Sequence, residues 1–166
     1  FFEDLSVRDN LVAVLGARAH AGLAACVFRP LAAARRRAEA QDFAAQQLLR
    51  FGIPEQYHGL RPKETPYGVQ RMLSIALAFG DGAQVLLLDE PAAGLGGDDM
   101  ERLVQLLQSL KRDGVALVVI EHHMDLIMAV ADRICVLDLG KRLAYGTPAQ
   151  VRQDPLVLEA YLGRPQ

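Results

Sequence analysis

Two short apolar runs, residues 85–88 and 115–120, frame a segment with helical periodicity, and this pattern constrains the fold most strongly. Neither run alternates between polar and apolar residues, which is typical of strands covered on both faces in a parallel sheet. The segment between them, from about Asp98 to Arg112, predicts a helix with one apolar stripe. The stripe consists of Met100, Leu103, Val104, Leu107 and Leu110. Such a strand–helix–strand unit predicts a parallel strand pair with a right-handed crossover.

Acidic and histidine residues follow directly after both predicted strands. Asp89 and Glu90 follow the first strand, and the run 121–123 (Glu-His-His) follows the second. Because ligands in α/β sheets bind beyond the carboxyl ends of the strands, we expect a functional site at this edge. Two adjacent ionised carboxylates there would need a cation or a polarised water beside them. The ordinary alternative is a capping acid and an exposed acid in a turn, with Pro91 ending the strand.

Helical patterns dominate the chain before residue 80. Ser6 is a predicted N-cap, with Asp9 in the first turn of a helix that ends at Gly16. A second helix is predicted from Pro30 to Phe51 and a third from Gly68 to Phe79, each followed by a glycine.

The pattern changes after residue 80, which predicts a seam within one domain. Residues 1–80 would form a helical subdomain and residues 81–166 an α/β subdomain. Beyond the second strand, the sequence predicts several short elements. They are a helix at about 124–131, strands at 134–137 and 142–145, a capping box from Thr147 to Gln150, and a last helix from Pro155 to Gly163.

Composition excludes several classes of protein. A chain of 166 residues suffices for one domain with a sizeable core. A formal net charge of −2 and 23% charged residues predict neither disorder nor a nucleic-acid-binding surface. Cys26 and Cys135 form no CxxC, so they predict neither a disulfide framework nor a metal site. The most apolar region, residues 11–34, is interrupted by charged residues and predicts no membrane span.

Three motifs, taken together, resemble the ATP-binding-cassette (ABC) ATPases. VLLLDEPAAGL, residues 85–95, resembles the Walker B strand and D-loop of that family, and VVIEH, residues 118–122, resembles its switch-histidine strand. TPYGVQRMLSIALAF, residues 65–79, lies where the family has its LSGGQ signature and the following helix. The ending DRICVLDLGKRLAYGTPAQVRQDPLVLEAYLG is similar to the nucleotide-binding subunits of branched-chain amino acid importers. The resemblance implies an α/β, P-loop NTPase-like cassette with a helical subdomain and a mostly parallel sheet with flanking helices.

The resemblance also implies ATP as substrate, Mg²⁺ as cofactor and specific roles for the strand-end residues. Asp89 would hold Mg²⁺ through water, and Glu90 would be the general base that activates the attacking water. His122 would contact the γ-phosphate. These few groups suffice because phosphoryl transfer depends mainly on positioning and charge stabilisation.

By the same resemblance, the signature segment would serve a second subunit. Pro66, Tyr67 and Gly68 would contact the ATP held by that subunit, and Gly94 and Gly96 belong to the D-loop. The alternative for Tyr67 is a turn tyrosine that covers the start of a helix.

The chain departs from the family pattern at several positions. Thr65, Pro66 and Val69 replace the signature's usual Leu, Ser and Gln, and Gly96 stands where the D-loop usually has Asp or Asn. No GxxxxGK[ST] loop occurs in the sequence. The chain therefore resembles the C-terminal two-thirds of a cassette, without its Walker A and Gln-loop segments, and we expect it to hydrolyse ATP negligibly by itself.

Histidines other than His122 receive no catalytic role from the sequence. His123 is interpreted as a surface neighbour of the switch histidine. A metal site that combines residues 121–123 with Asp125 is the less favoured hypothesis, since successive strand-end side chains diverge. His20 and His58 have no partner visible in the sequence.

The leading hypothesis is the ATPase subunit of an ABC importer for branched-chain amino acids or a related solute, at the cytoplasmic face of a bacterial membrane. Its partners would be a second ABC ATPase subunit, membrane permease subunits and, indirectly, a solute-binding protein, with no nucleic acid. The alternative is a non-catalytic truncated cassette that pairs with a complete one. A DNA-repair head ATPase would need a coiled-coil insertion and a basic face, and a metallohydrolase is the remaining hypothesis.

Overall fold

The computed structural model describes residues 1–16 and 30–162. The helices and strands predicted from the sequence are confirmed to within one residue at their described ends. In chain order they are α1 (Val7–Gly16), α2 (Pro30–Arg50), α3 (Tyr67–Phe79), β1 (Val85–Asp89), α4 (Gly97–Arg112), β2 (Ala116–Ile120), α5 (Met124–Val130), β3 (Ile134–Asp138), β4 (Lys141–Gly146), α6 (Pro148–Arg152) and α7 (Pro155–Leu162). The predicted end of α7 at Gly163 lies outside the described residues.

The chain groups into two compact units, the first ending at Ile120 and the second beginning at Glu121. This boundary differs from the seam predicted near residue 80. Helix α3 packs against β1, so the first unit continues across that position. The division into a helical subdomain of residues 1–80 and an α/β subdomain of residues 81–166 stays a prediction.

Local capping and long-range backbone bonds define the helices of the first unit. Ser6 accepts a hydrogen bond from the backbone N–H of Asp9 at 3.0 Å, as predicted for an N-cap. The N–H of Val7 donates to the carbonyl of Leu60 at 2.8 Å, which ties the start of α1 to the segment before α3. Helix α1 packs against α2 and α3 around a buried apolar core. The largest fully buried side chains of the unit include Leu11, Leu48, Phe51, Ile53, Leu73, Leu103 and Leu107.

Strands β1 and β2 form the predicted parallel pair, in register from Val85 opposite Ala116 to Asp89 opposite Ile120. Leu86 and Leu88 are buried on one face of the ribbon. Leu87 points to the other face and is 75% exposed. The prediction that both faces are covered is therefore wrong for the described residues, because side chains cover only one face of the pair.

The second unit is built on the antiparallel hairpin β3–β4. The turn between the strands places Leu139 at φ +47° and Gly140 at φ +78°. Thr147 and Gln150 form the predicted capping box at the start of α6. The small core of this unit consists of Ala144, Val151 and Val157, with Ile134, Val136 and Leu143 packed against it. Among the described residues of the whole chain, no helix has the length and apolarity needed to cross a membrane.

Candidate functional site

Strand β1 ends in the two acids that the sequence singles out. Asp89 is its last residue and Glu90 follows it, and both residues are exposed. Glu90 has φ +45°, a left-handed conformation that costs a non-glycine residue about 1–2 kcal/mol. The N–H of Glu90 donates to the carbonyl of Ile120 at 2.9 Å, so the parallel pairing extends one residue beyond β1. This bond helps to hold the strained backbone and presents the two carboxylates at the strand end.

The turn after these acids contacts the start of α3 through close packing and hydrogen bonds. Gly94 has φ +75°, and a Cβ at this position would lie 3.0 Å from Cε1 of Tyr67. Arg71 donates from Nη2 to the hydroxyl of Tyr67 at 2.7 Å and to the carbonyl of Ala93 at 3.3 Å. The structure therefore brings together Tyr67 and Gly94, two of the predicted site residues. Both interpretations of Tyr67 remain, since the side chain contacts the turn and is still half exposed.

Gly68 is buried in the first turn of α3, and the side chain of a close neighbour occupies the place of a Cβ there. A Cβ at Gly68 would overlap the carboxylate of Asp99, which lies in the first turn of α4. Arg102 donates to the same carboxylate at 3.3 Å. An acid at this place is compatible with the positive end of the α3 dipole. The sequence hypotheses gave Asp99 and Arg71 no role, because only the fold places them beside the signature segment.

Pro66 and Gly96 occupy N-cap positions without contributing a side-chain cap. Pro66 precedes α3 with an exposed ring, and its carbonyl accepts from the N–H of Gln70 at 3.1 Å. Gly96 precedes α4 with φ −104°, a conformation that any residue adopts. Thr65 is buried and donates its hydroxyl to the carbonyl of Pro62 at 2.7 Å. Thr65, Pro66 and Gly96, at which the chain departs from the family pattern, therefore have unstrained, extended backbone conformations.

In the second unit, residues 121–123 fold back on one another. The side chain of Glu121 is 0% exposed, and its Oε2 accepts from the backbone N–H of His122 at 2.8 Å and of His123 at 3.1 Å. Nδ1 of His123 lies 2.9 Å from the same oxygen, and the two imidazole centroids are 4.4 Å apart. The prediction that these side chains diverge is wrong, because the residues follow β2 in irregular backbone, where the alternation of a strand no longer holds.

The remaining histidines do not join this cluster among the described residues. His58 is buried in the first unit, with Nε2 at 2.9 Å from the carbonyl oxygen of Ile53. His20 lies outside the described residues. Asp125, which the less favoured metal hypothesis included, is not among the residues whose ligand atoms converge. Of the predicted site residues, only His122 belongs to the second unit.

Comparisons with known proteins agree with the motifs. The family model described as "Branched-chain amino acid ATP-binding cassette transporter" matches residues 141–165. The high-affinity branched-chain amino acid transport ATP-binding protein LivG of Escherichia coli (strain K12) is 36% identical over 98% of this chain. BraF of Pseudomonas aeruginosa, which carries the same description, is 34% identical over 98% of this chain. The chain spans 64% of the length of each of these relatives.

Solved structures show the same fold. The ADP conformation of MJ1267, an ATP-binding cassette of an ABC transporter, matches with a TM-score of 0.73 and 22% identity over 98% of this chain and 64% of that one. The dimeric structure of MJ0796, a bacterial ABC transporter cassette, matches with a TM-score of 0.71 and 21% identity over 89% of this chain and 59% of that one. At these identities the likeness establishes the fold alone.

Proposed function

This chain is a homologue of the ATP-binding proteins of branched-chain amino acid ABC transporters, and on that premise we propose that it forms a portion of the ATP-hydrolysing subunit of such an importer. The partners in this proposal are a second cassette, membrane permease subunits and, through them, a solute-binding protein. The proposed location is the cytoplasmic face of the membrane. The observation that carries the proposal is the exposed acid pair at the end of β1. The turn that follows this pair is hydrogen-bonded to α3, the helix of the signature segment.

Glu90 is the proposed general base for the water that attacks the γ-phosphate. Its carboxylate is exposed at the carboxyl end of a parallel strand, where α/β sheets bind their ligands. Its backbone is held in a left-handed conformation, and strain of this kind clusters at functional sites. A positioned base contributes about 10²–10⁴-fold to the rate. His122 is proposed to contact the γ-phosphate and help position the water.

Asp89 is the proposed anchor for Mg²⁺. A carboxylate oxygen is the ligand type that Mg²⁺ takes in proteins, and the ion usually keeps several waters, which agrees with an exposed side chain at a strand end. When bound, Mg²⁺ neutralises charge on the phosphates. The role of Asp89 is to hold the hydrated ion near the strand end.

The signature segment is proposed to serve the ATP of the second cassette. Gly68 leaves the first turn of α3 without a side chain, and Tyr67 and Pro66 flank it. Gly94 and Gly96 form the adjoining D-loop. The contact of Tyr67 with Gly94 places the two segments side by side, as a shared role would need.

A complete nucleotide site also needs a phosphate-binding loop, which these 166 residues do not contain. We therefore propose that the loop comes from polypeptide outside this sequence. The chain by itself is expected to show no Mg²⁺-dependent ATP hydrolysis above background. Robust turnover by the purified chain would contradict this aspect of the proposal.

A chimera tests the assignment of Glu90. In it, these residues replace the matching segment of LivG, so that LivG supplies the rest of the cassette. Glu90→Gln is expected to lower kcat by about 10²–10⁴-fold while ATP binding is retained, because only the base is lost. Glu101→Gln, an exposed acid on α4, is the matched control and should leave the rate within about twofold of the parent. A Glu90→Gln chimera that hydrolyses ATP at the parent rate would overturn the assignment.

The departures at the signature favour a second candidate, a non-catalytic cassette that associates with a complete one. Pro66 supplies neither a hydroxyl nor a backbone N–H where the family usually has Ser. Mixing the chain with intact LivG separates the candidates. A stable complex with an altered LivG rate, together with an inactive chimera, would favour the non-catalytic role.

A further inference from the structure

Glu121 is a buried carboxylate held against two imidazoles. Its side chain is 0% exposed, and the N–H groups of His122 and His123 both donate to Oε2. Burial of an ionised carboxylate is costly unless it is paired, and these bonds compensate for some of that cost. The acid is thereby fixed in place beside the two rings.

The ligand atoms of the three side chains are close enough for one metal ion. One atom from each of Glu121, His122 and His123 lies within 4.8 Å of the others. Oε2 of Glu121 is 2.9 Å from Nδ1 of His123 and 3.7 Å from Nδ1 of His122. Tetrahedral zinc with bonds of about 2.0–2.2 Å separates its ligand atoms by about 3.3–3.6 Å, and the two observed distances lie on either side of that range.

The donor set selects the class of metal. Two imidazoles and one carboxylate form a set used in zinc enzymes with three protein ligands. Imidazole donors suit Zn²⁺, Cu²⁺ and Ni²⁺, whereas Mg²⁺ and Ca²⁺ prefer oxygen alone. The His122 side chain is 67% exposed and that of His123 is 37% exposed, so an ion can reach both rings from solvent.

We propose that Glu121, His122 and His123 form a binding site for a divalent transition metal, with zinc as the representative ion. The site has three protein ligands and one coordination position open to solvent. It differs from the Mg²⁺ anchor proposed at Asp89 in its donor set, because it uses two imidazole nitrogens.

The site also has a regulatory consequence, which rests on the proposed function. Coordination would hold the His122 ring beside Glu121, and that position competes with a contact between the ring and the γ-phosphate. Zinc would therefore inhibit a complete cassette by withdrawing the switch histidine from the nucleotide.

Direct binding to the purified chain tests the site without ATP. We expect calorimetry with ZnCl₂ to show one ion per chain, and Co²⁺ to give the absorption bands of a low-symmetry nitrogen and oxygen site. His122→Asn and His123→Asn should each weaken binding about 10-fold or more, since loss of a group that only supports a metal ligand already costs that much. These variants alter exposed rings and keep the buried acid, and circular dichroism checks that they fold.

Two control variants isolate the site. Cys135→Ser removes the exposed thiol, and His20→Asn removes a histidine remote in the sequence; both should bind zinc as the parent does. Absence of zinc binding at millimolar concentration, or equal affinity in the parent and both ring variants, would overturn the proposal.

The chimera tests the regulatory consequence separately. Each rate is expressed relative to the metal-free rate of the same variant, at constant excess Mg²⁺. Zinc should inhibit the parent chimera, and His123→Asn should raise the half-inhibiting concentration about 10-fold. Zinc binding without inhibition would overturn the regulatory consequence and leave the site in place. Failure of the Glu90 test would count against the proposed function and would not affect the binding result.

Discussion

The two glutamates that follow the parallel strands have opposite environments. Glu90 follows β1 with an exposed side chain and a left-handed backbone, whereas the Glu121 side chain follows β2 and is 0% exposed. Glu90 uses its backbone to extend the strand pairing, and Glu121 uses its carboxylate to bind the next two N–H groups. The same residue type at matching strand ends is thus exposed to solvent in one place and bonded to its neighbouring backbone in the other.

Removal of the buried carboxylate should have the largest effect on stability. Glu121→Ala is expected to lower the free energy of unfolding by about 2–3 kcal/mol, because hydrogen bonds to a charged group are lost. Urea unfolding followed by circular dichroism measures the change, and hydrogen exchange should accelerate at the amides of His122 and His123. Glu101→Ala is the exposed control, expected within about 0.5 kcal/mol of the parent. Equal losses in the two variants would remove the contrast between buried and exposed acids.

A smaller effect on stability is expected where the start of α3 meets the start of α4. Gly68→Ala should lower the free energy of unfolding by at most about 1 kcal/mol, because the new methyl group must displace the carboxylate of Asp99, while the higher helix propensity of Ala offsets some of that loss. Asp99→Ala in the same chain should remove most of that loss. The double-mutant cycle in urea measures the coupling. Additive losses would show that the two residues do not meet in solution.

The smallest effect is expected at Glu90 itself. Glu90→Gly relieves a left-handed conformation worth about 1–2 kcal/mol, and the added freedom of the unfolded chain offsets some of the gain. The free energy of unfolding should therefore rise by at most about 1 kcal/mol. Thermal unfolding of this variant beside Glu90→Ala gives the comparison. A clear loss of stability in the glycine variant would mean that the exposed side chain itself supports the fold.

Much of the local structure follows from short-range signals in the sequence. Ser6 and the Thr147–Gln150 capping box begin their helices as predicted, because their bonds join residues three positions apart. The apolar runs at 85–88 and 115–120 predicted the parallel pair, since a short helical crossover allows only that arrangement. The acids at the end of β1 were identified because they follow the first apolar run directly in the sequence.

Contacts between distant elements could not be predicted in this way. Asp99 meets Gly68, and Arg71 meets Ala93, only because α3 lies beside the start of α4 and the turn that follows β1. The convergence of residues 121–123 was also missed, since the alternation of a strand was extended into the irregular backbone beyond β2. The sequence offered one weak signal for a role of Asp99, namely its place as an acid in the first turn of a predicted helix.

The sequence by itself determined the helices, the strands, the parallel pairing and the resemblance to ABC cassettes. These properties depend on capping and periodicity, which involve residues close together in the chain, and on the order of the motifs along it. Only the tertiary structure decided that Leu87 is exposed, that Glu121 is buried and that Gly68 lies against Asp99. The physical reason is that burial depends on which side chains approach, and these can come from any region of the chain.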